Sequence, residues 1–309
     1  MQTDLNYIYE VWRTGSFSQA AKKLFLSQPA LSIAVRKYEQ RMGMPIFDRS
    51  TQPLQLTPAG EIVLRHIFAL QAEEKNLQTA IRDLQALDHG SLSLAATQYF
   101  SCYVLSDVLR QFHAQYPKVN VTIYEQNANT IDSLLMDGTA DACFHSGTFD
   151  EKQCIGQIVF EDSLVLAVPA DMLPGDGMPA ALSGRAVAEG MLQDADCPQV
   201  PLSDFAGLPY IRLTLDNQLQ ERAQNIFADA GVAWANWLTA GQLETAWHMV
   251  QQGFGCTMIT DTMAARCGSD AVRFFRIGHK DAHRSFYAVM RKGAYQSKFL
   301  KQFLQGIQK

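Results

Sequence analysis

Leu5, Ile8, Tyr9 and Trp12 recur at the spacing of one helix face, and Gly15 follows as a stop. Ser16 or Ser18 can cap a second helix, whose apolar stripe is Ala20, Ala21 and Leu24. "FLSQ" reads as a turn. Pro29 suits the first position of a third helix, where its missing N–H costs nothing. That helix turns Leu31, Val35 and Tyr38 inward and ends at Gly43. "PIFDRSTQPLQLTPAG" reads as two short strands around a Pro-containing turn, with Thr57-Pro58 opening another helix.

From Pro58 to about Asp88 the pattern is one long helix. Val63, Ile67, Leu70, Glu74, Leu77, Ile81 and Leu84 are spaced 4-3-4-3-4-3, a coiled-coil seam with one polar break at Glu74. Such a helix could instead lie on its own domain, but its length far exceeds the usual ~11–12 residues, which favours a paired seam. "DHGS" at 88–91 is a hinge.

From residue 91 the texture changes to alternating strands and helices. Strands are expected at "SLSLAAT", "VNVTIYE", "DACFHSG", "IGQIVF" and "SLVLAVP", with helices at 101–115 and 130–137. Residues 171–201, rich in Pro, Gly and Asp, look like a long insertion. "LPYIRL", "VAWANWL", "GCTMIT", "VRFFRI" and "SFYAVMR" continue as strands, with helices at 217–230, 242–252 and 294–308. This predicts an α/β body of mostly parallel sheets, in two lobes with a cleft between them.

Charge divides the chain further. Residues 1–60 hold seven Lys/Arg against four Asp/Glu, whereas residues 91–309 hold sixteen against twenty-two. A mildly basic head on an acidic body suits a small module for an anionic partner joined to a larger domain of other purpose. Six scattered cysteines without a CxxC form no disulfide framework. No signal pattern and no run of 18 apolar residues occurs, so a cytoplasmic protein with no membrane partner is expected.

Three helices with an Ala-Ala pair and a Pro-started third helix are the makings of a helix-turn-helix. Small side chains let the first helix of the motif hold the second close, and that second helix enters a DNA major groove. Its groove end is Ser27-Gln28-Pro29-Ala30, with Ser32, Ile33, Arg36 and Lys37 further along. Gln28 can form two hydrogen bonds with adenine, Ser27 and Ser32 can reach bases or phosphates, and Ala30 and Ile33 can pack on a thymine methyl. Lys22, Lys23, Arg36 and Arg49 are expected as phosphate contacts, which position without specifying.

The run "GSFSQAAKKLFLSQPALSIAVRKYEQRMGMPIFDRSTQPLQLTPAGE" resembles the N-terminal domain of the LysR-type transcriptional regulators. The resemblance implies a winged helix-turn-helix over 1–60, with the helix-turn-helix segment on Phe17–Arg36 and the wing near Phe47–Leu56. It implies a linker and dimerisation helix over 61–90. It implies a two-lobed effector-binding domain over 91–309, like the periplasmic binding proteins, with lobe 1 at about 91–162 and 269–309 and lobe 2 at about 163–268. The implied partners are double-stranded operator DNA, a small-molecule effector, a second copy through the linker helix (usually building a tetramer) and RNA polymerase. Ile33-Ala34 stand where the family often carries an Arg, and the 171–201 segment is longer than in the commonest members.

In two-lobed α/β folds, ligands sit at strand C-termini and helix N-termini, where free backbone N–H groups favour polar oxygens. Those points here carry Thr97, Gln98 and Ser101, then Asn127 and Thr130, then His145, and Thr214 from the second lobe. Few basic residues fall on these loops, which argues against a multiply charged anion. Thr97 and Thr130 could equally be helix caps.

No catalytic residue, cofactor or metal site is expected. His279 and His283 lie four apart without a third ligand, Glu244 and His248 read as a helix-surface pair, and no GxSxG, P-loop or GxGxxG occurs. Two rivals remain. One is a thiol-based redox-sensing regulator using Cys197, Cys256 or Cys267, of which only Cys267 has an adjacent cation, Arg266. The other is a solute-binding protein sharing the two-lobed body.

Overall fold

The computed structural model describes residues 2–51, 54–84, 89–128, 130–174, 178, 180–215, 217–233 and 235–307. The chain divides into two units, residues 1–85 with 136–139, and residues 86–135 with 140–309.

In the first unit, α1 (Gln2–Thr14), α2 (Phe17–Lys23) and α3 (Gln28–Met42) precede a hairpin of β1 (Phe47–Asp48) and β2 (Gln55–Leu56) and the long α4 (Pro58–Leu84). Leu5, Ile8 and Val11 of α1 bury against Ala20 and Ala21, Leu31 and Val35, and Ile46 and Phe47. Ser16 caps α2, its Oγ accepting the Gln19 N–H. Gly43 closes α3 in the left-handed region at φ 74°, which a side chain would strain. Glu39 accepts from the N–H groups of Ile46 (2.9 Å) and Phe47 (3.4 Å), fixing the hairpin to α3. Gly60 shows why a glycine follows the Thr-Pro-Ala of "LTPAG": a Cβ there would lie 2.1 Å from the Ile46 carbonyl oxygen.

The seven seam positions of α4 do not share one environment. Val63 and Ile67 are buried in the core of this unit, while Leu70, Leu77, Ile81 and Leu84 are exposed. Phe68 packs edge-on against Tyr9 and Trp12, so the first half of α4 belongs to the head. The last residues assigned to this helix from sequence, 85–88, lie outside the described residues, as do 52 and 53 of the wing.

The second unit starts with β3 (Gly90–Ala96). A helix follows in three pieces: α5 (Gln98–Phe100), a π-turn (Ser101–Leu105) and α6 (Ser106–Gln115). Next come β4 (Val119–Glu125), α7 (Ser133–Met136), β5 (Ala142–His145) and β6 (Cys154–Pro169). The chain continues through β7 (Leu182–Ser183), α8 (Gly184–Ala188), β8 (Pro209–Leu213), α9 (Gln218–Asp229) and β9 (Ala235–Ala240). It ends with α10 (Leu243–Gln251), β10 (Thr257–Thr260), α11 (Asp261–Cys267), β11 (Val272–Arg276), β12 (His283–Arg291) and α12 (Lys298–Ile307).

Lobe 1 has strand order β4-β3-β5-β12-β6. Lobe 2 builds on the far end of β6, with β10 on one side and β11 then β7 on the other, while β8 pairs with β9. The expected mostly parallel sheet is corrected: β3, β4 and β5 are parallel, as are β8 and β9, but the strands joining the lobes are antiparallel. The reason is connectivity. The chain leaves lobe 1 along β6 and comes back along β12, so the two must run in opposite directions. The two strands expected at "IGQIVF" and "SLVLAVP" are accordingly one 16-residue strand. Its first half pairs with β12, and Leu164–Pro169 pair with β10 and β11. Because β11 pairs inside lobe 2, the return to lobe 1 falls between β11 and β12, later than the boundary at 269.

The 171–201 segment is built into lobe 2. Its β7 pairs with β11, and Leu182, Val187, Leu192 and Val200 are buried in the main core. Gly184 lies against the backbone of Gly268 and Ser269, where a Cβ would come within 2.7 Å of the Ser269 nitrogen. Lobe 1 is held by aromatics. Phe100 stacks on Phe144 at 5.3 Å and on Phe286 at 5.0 Å, and α12 seals the layer with Phe299, Leu300, Phe303 and Leu304.

Candidate DNA-contacting helix and interlobe cleft

Ala20 and Ala21 have almost no exposed surface, so α2 lies close on α3, as a helix-turn-helix requires. The connecting turn places Phe25 at φ 56° with its ring in solvent. Leu31, Val35 and Tyr38 face inward, as their spacing predicted. The opposite side of α3 carries Gln28, Pro29, Ala30, Ile33, Arg36 and Lys37, all exposed, with Ser32 half-buried beside them. Ser27 caps the helix by accepting the Ala30 N–H at 3.3 Å, which leaves its own O–H to donate outward.

Arg49 is held differently. Its guanidinium pairs with Glu39 at 3.1 Å and stacks over the Phe17 ring at 5.0 Å, at the base of the hairpin. Lys23 is likewise paired, with Glu10.

Within the second unit, a cleft of about 370 Å³ opens between the lobes. Lobe 1 contributes Thr97, Gln98 and Tyr99 after β3, Glu125 at the end of β4 with Gln126 to Ala128 after it, and Ser146 after β5. Lobe 2 contributes Asn217, Gln218 and Leu219 where α9 starts, and Gln242, Leu243 and Glu244 where α10 starts. Arg284 and Phe286 of β12 complete it. Ser146 Oγ donates to Gln218 Oε1 at 3.1 Å, one hydrogen bond spanning the two lobes.

Of the seven residues expected at an effector site, Thr97, Gln98 and Asn127 line this cleft. Thr97 also caps α5, its Oγ1 accepting the Phe100 N–H. The other four do not line it. Thr130 donates to the Asn127 carbonyl at 3.2 Å and braces that loop. His145 is fully buried. Its Nδ1 accepts the Gly147 N–H and its Nε2 faces Asp132 at 3.0 Å, so it fixes the turn that presents Ser146. Ser101 is buried at the start of the π-turn, and Thr214 donates its N–H to the Ala240 carbonyl.

Sequence reasoning missed the acids and the floor. Glu244, read as a surface partner of His248, is half-buried at the cleft, and the His248 ring turns to Gln251 instead. Its place in the first turn of a helix was the available signal. Arg284 had none, since only the pairing of β12 with β6 brings it there. Arg284 makes a two-point pair with fully buried Asp162, Nε to Oδ1 being 2.7 Å, and Tyr99 O–H donates to the same carboxylate at 2.6 Å. The guanidinium lies over the Tyr99 and Phe286 rings. Burial alone would lower the Arg284 pKa, but the Asp162 carboxylate reverses this and the net direction is up. Burial pushes the Glu244 pKa up, and the neighbouring Glu125 adds to it.

The thiols considered for redox sensing differ in setting. Burial pushes Cys256 up to about 12, the state of an inert protonated thiol. Cys267 lies 3.7 Å from the Tyr103 hydroxyl, and Cys197 is half-exposed in the 171–201 segment. His279 faces Asp229 and His283 faces Glu161, each in a separate pair.

An exposed helix-turn-helix on one unit and a polar interlobe cleft in the other define a ligand-responsive DNA-binding regulator. Residues 2–61 match the bacterial regulatory helix-turn-helix proteins of the lysR family, and residues 85–309 match the LysR substrate binding domain. The chain therefore belongs to the LysR family: it is a DNA-binding transcriptional regulator with an effector-binding domain, and not an enzyme. It is 26% identical over 307 residues to the uncharacterized HTH-type transcriptional regulator YcgK of Bacillus subtilis (strain 168), covering 97% of this chain and 92% of that one. A full-length OxyR variant from Pseudomonas aeruginosa superposes with a TM-score of 0.68 at 20% identity, covering 99% of this chain and 94% of that one. Full-length CbnR, a LysR-family regulator solved in complex with its target DNA, gives a TM-score of 0.63 at 19% identity over 99% and 98% of the two chains. No helix among the described residues is long and apolar enough to cross a membrane.

Proposed function

We propose that two copies of this chain, paired through α4, read an operator with α3 and answer to a small molecule in the interlobe cleft. The observation that carries the reading is the outer face of α3. Gln28, Ala30, Ile33, Arg36 and Lys37 are exposed together there, with no ion pair among the described residues occupying the two cations. In this reading Gln28 and Ser32 read base edges, Ile33 packs on a thymine methyl, and Ser27, Arg36 and Lys37 hold phosphates. Arg49 positions the hairpin through Glu39 and adds long-range attraction for the backbone. Two heads on a paired helix read half-sites one helical turn apart or a multiple of it. The regulator works in the cytoplasm on RNA polymerase bound beside the operator. An effector shifts it by binding one arrangement of the lobes better than the other.

The test is binding to DNA immediately upstream of the protein's own gene, against random DNA, across a salt series. Preference for the upstream fragment with affinity falling steeply in salt is expected. Equal affinity for both fragments at every salt concentration, with and without cell extract as an effector source, would remove operator reading by α3.

A further inference from the structure

We propose that the interlobe cleft takes a small molecule bearing a protonated amine, held between the carboxylates of Glu244 and Glu125. The proposal rests on reading the cleft as the effector site and names the chemistry that site selects.

Among the described lining residues the acids are Glu125 and Glu244, and the one guanidinium is Arg284. Arg284 is already spent: Asp162 takes it at two points, and the rings of Tyr99 and Phe286 flank it. A carboxylate ligand would enter against two acids with no unpaired cation to meet it.

The second observation is Glu244 itself. Its Oε1 has no surface open to water and accepts no hydrogen bond among the described residues. A shielded carboxylate oxygen without a donor costs free energy, and a cation seated in the cleft against this carboxylate offsets part of that cost through its charge. The first turn of α10 explains why an acid is tolerated there, since the helix N-terminus favours negative charge. The Glu244 backbone N–H also lowers the carboxyl pKa, by less than burial raises it, so the net direction stays up. The other groups that face Glu244 are His248 one turn along α10, Glu125 across the cleft, and Tyr103 and Cys102 of the π-turn. His248 is turned to Gln251, and burial pushes the Tyr103 phenol and the Cys102 thiol up, away from their charged forms.

The rest of the wall is made of amides. Gln98, Gln126, Gln218 and Gln242 both donate and accept, which suits hydroxyl, amide or carboxyl groups on the body of an amine. The volume lies at the small end of ligand sites, about 300–1,000 Å³.

Isothermal titration of the full-length protein with 1,4-diaminobutane, 1,4-butanediol and succinate at matched ionic strength tests this. The expected result is binding of the diamine alone, weakened about tenfold or more in Glu244→Gln and in Glu125→Gln. The melting temperature of unliganded Glu244→Gln should equal or exceed that of the parent, because a shielded charge is removed. A purely structural Glu244 would lower it. Succinate binding in preference to the diamine, or no heat from any probe, overturns the proposal. A cleft-filling Ser146→Trp variant separates the failures. Succinate binding lost in that variant keeps the cleft as effector site for an anion, whereas probe binding retained in it removes the cleft reading as well.

Discussion

Gln28 stands exposed at the groove end of α3, and its amide can make two hydrogen bonds with adenine. Gln28→Ala should lose about 1–3 kcal/mol of operator discrimination and little affinity for random DNA. Competition binding checks this; equal losses on both DNAs would make Gln28 a general contact. Ala21 does a different job, filling the close approach of α2 with almost no exposed surface. Ala21→Leu overpacks that contact and should cost roughly 1–3 kcal/mol in the denaturation of the head. In the second unit, Arg284→Met leaves the Asp162 carboxylate buried and unpaired. Breaking such a pair typically costs about 3–5 kcal/mol, so the variant should unfold at clearly lower urea. An unchanged midpoint would mean that Asp162 takes up a proton or that water reaches it.

At the scale of the element, α4 shows how one periodic pattern serves two purposes. Val63 and Ile67 are consumed by the core of the head, so the exposed positions left for a partner are Leu70, Leu77, Ile81 and Leu84. Leu77→Glu places a charge in the middle of that row and should convert a dimer to a monomer, read by sedimentation. An unchanged mass would show that α4 is not the seam. Helices and strands of this protein were largely legible because their apolar spacing is local. The exceptions have local causes too. β6 looked like two strands because Glu161 and Asp162 interrupt its apolar run. Asp162 is in fact buried, and its partners Arg284, 122 residues away, and Tyr99, 63 residues away, make that tolerable.

At the scale of the molecule, a basic head and an acidic body divide the work between two units. Binding to DNA through Arg36 and Lys37 releases counterions, so affinity should fall linearly in a double-logarithmic salt plot. Removing Arg36 should reduce the slope by about 1 while leaving sequence preference nearly intact. A variant that keeps the parent slope would place Arg36 away from the phosphates.

Local chemistry determined the helix-turn-helix, its inward and outward faces, the long helix and the succession of strands and helices in the body. Each depends on residues a few positions apart, which is the range over which helical and strand periodicity act. The loops of the cleft were legible for the same reason, as strand ends followed by helix caps such as Thr97 and Asn217. Only the tertiary structure decided which side chains on those loops face the cleft and which brace it from behind. It also decided that β12 returns antiparallel to β6, and this one pairing carries Arg284 to Asp162. The charge of the cleft wall follows from that long-range pair, because Arg284 is neutralised by an aspartate that only folding brings beside it.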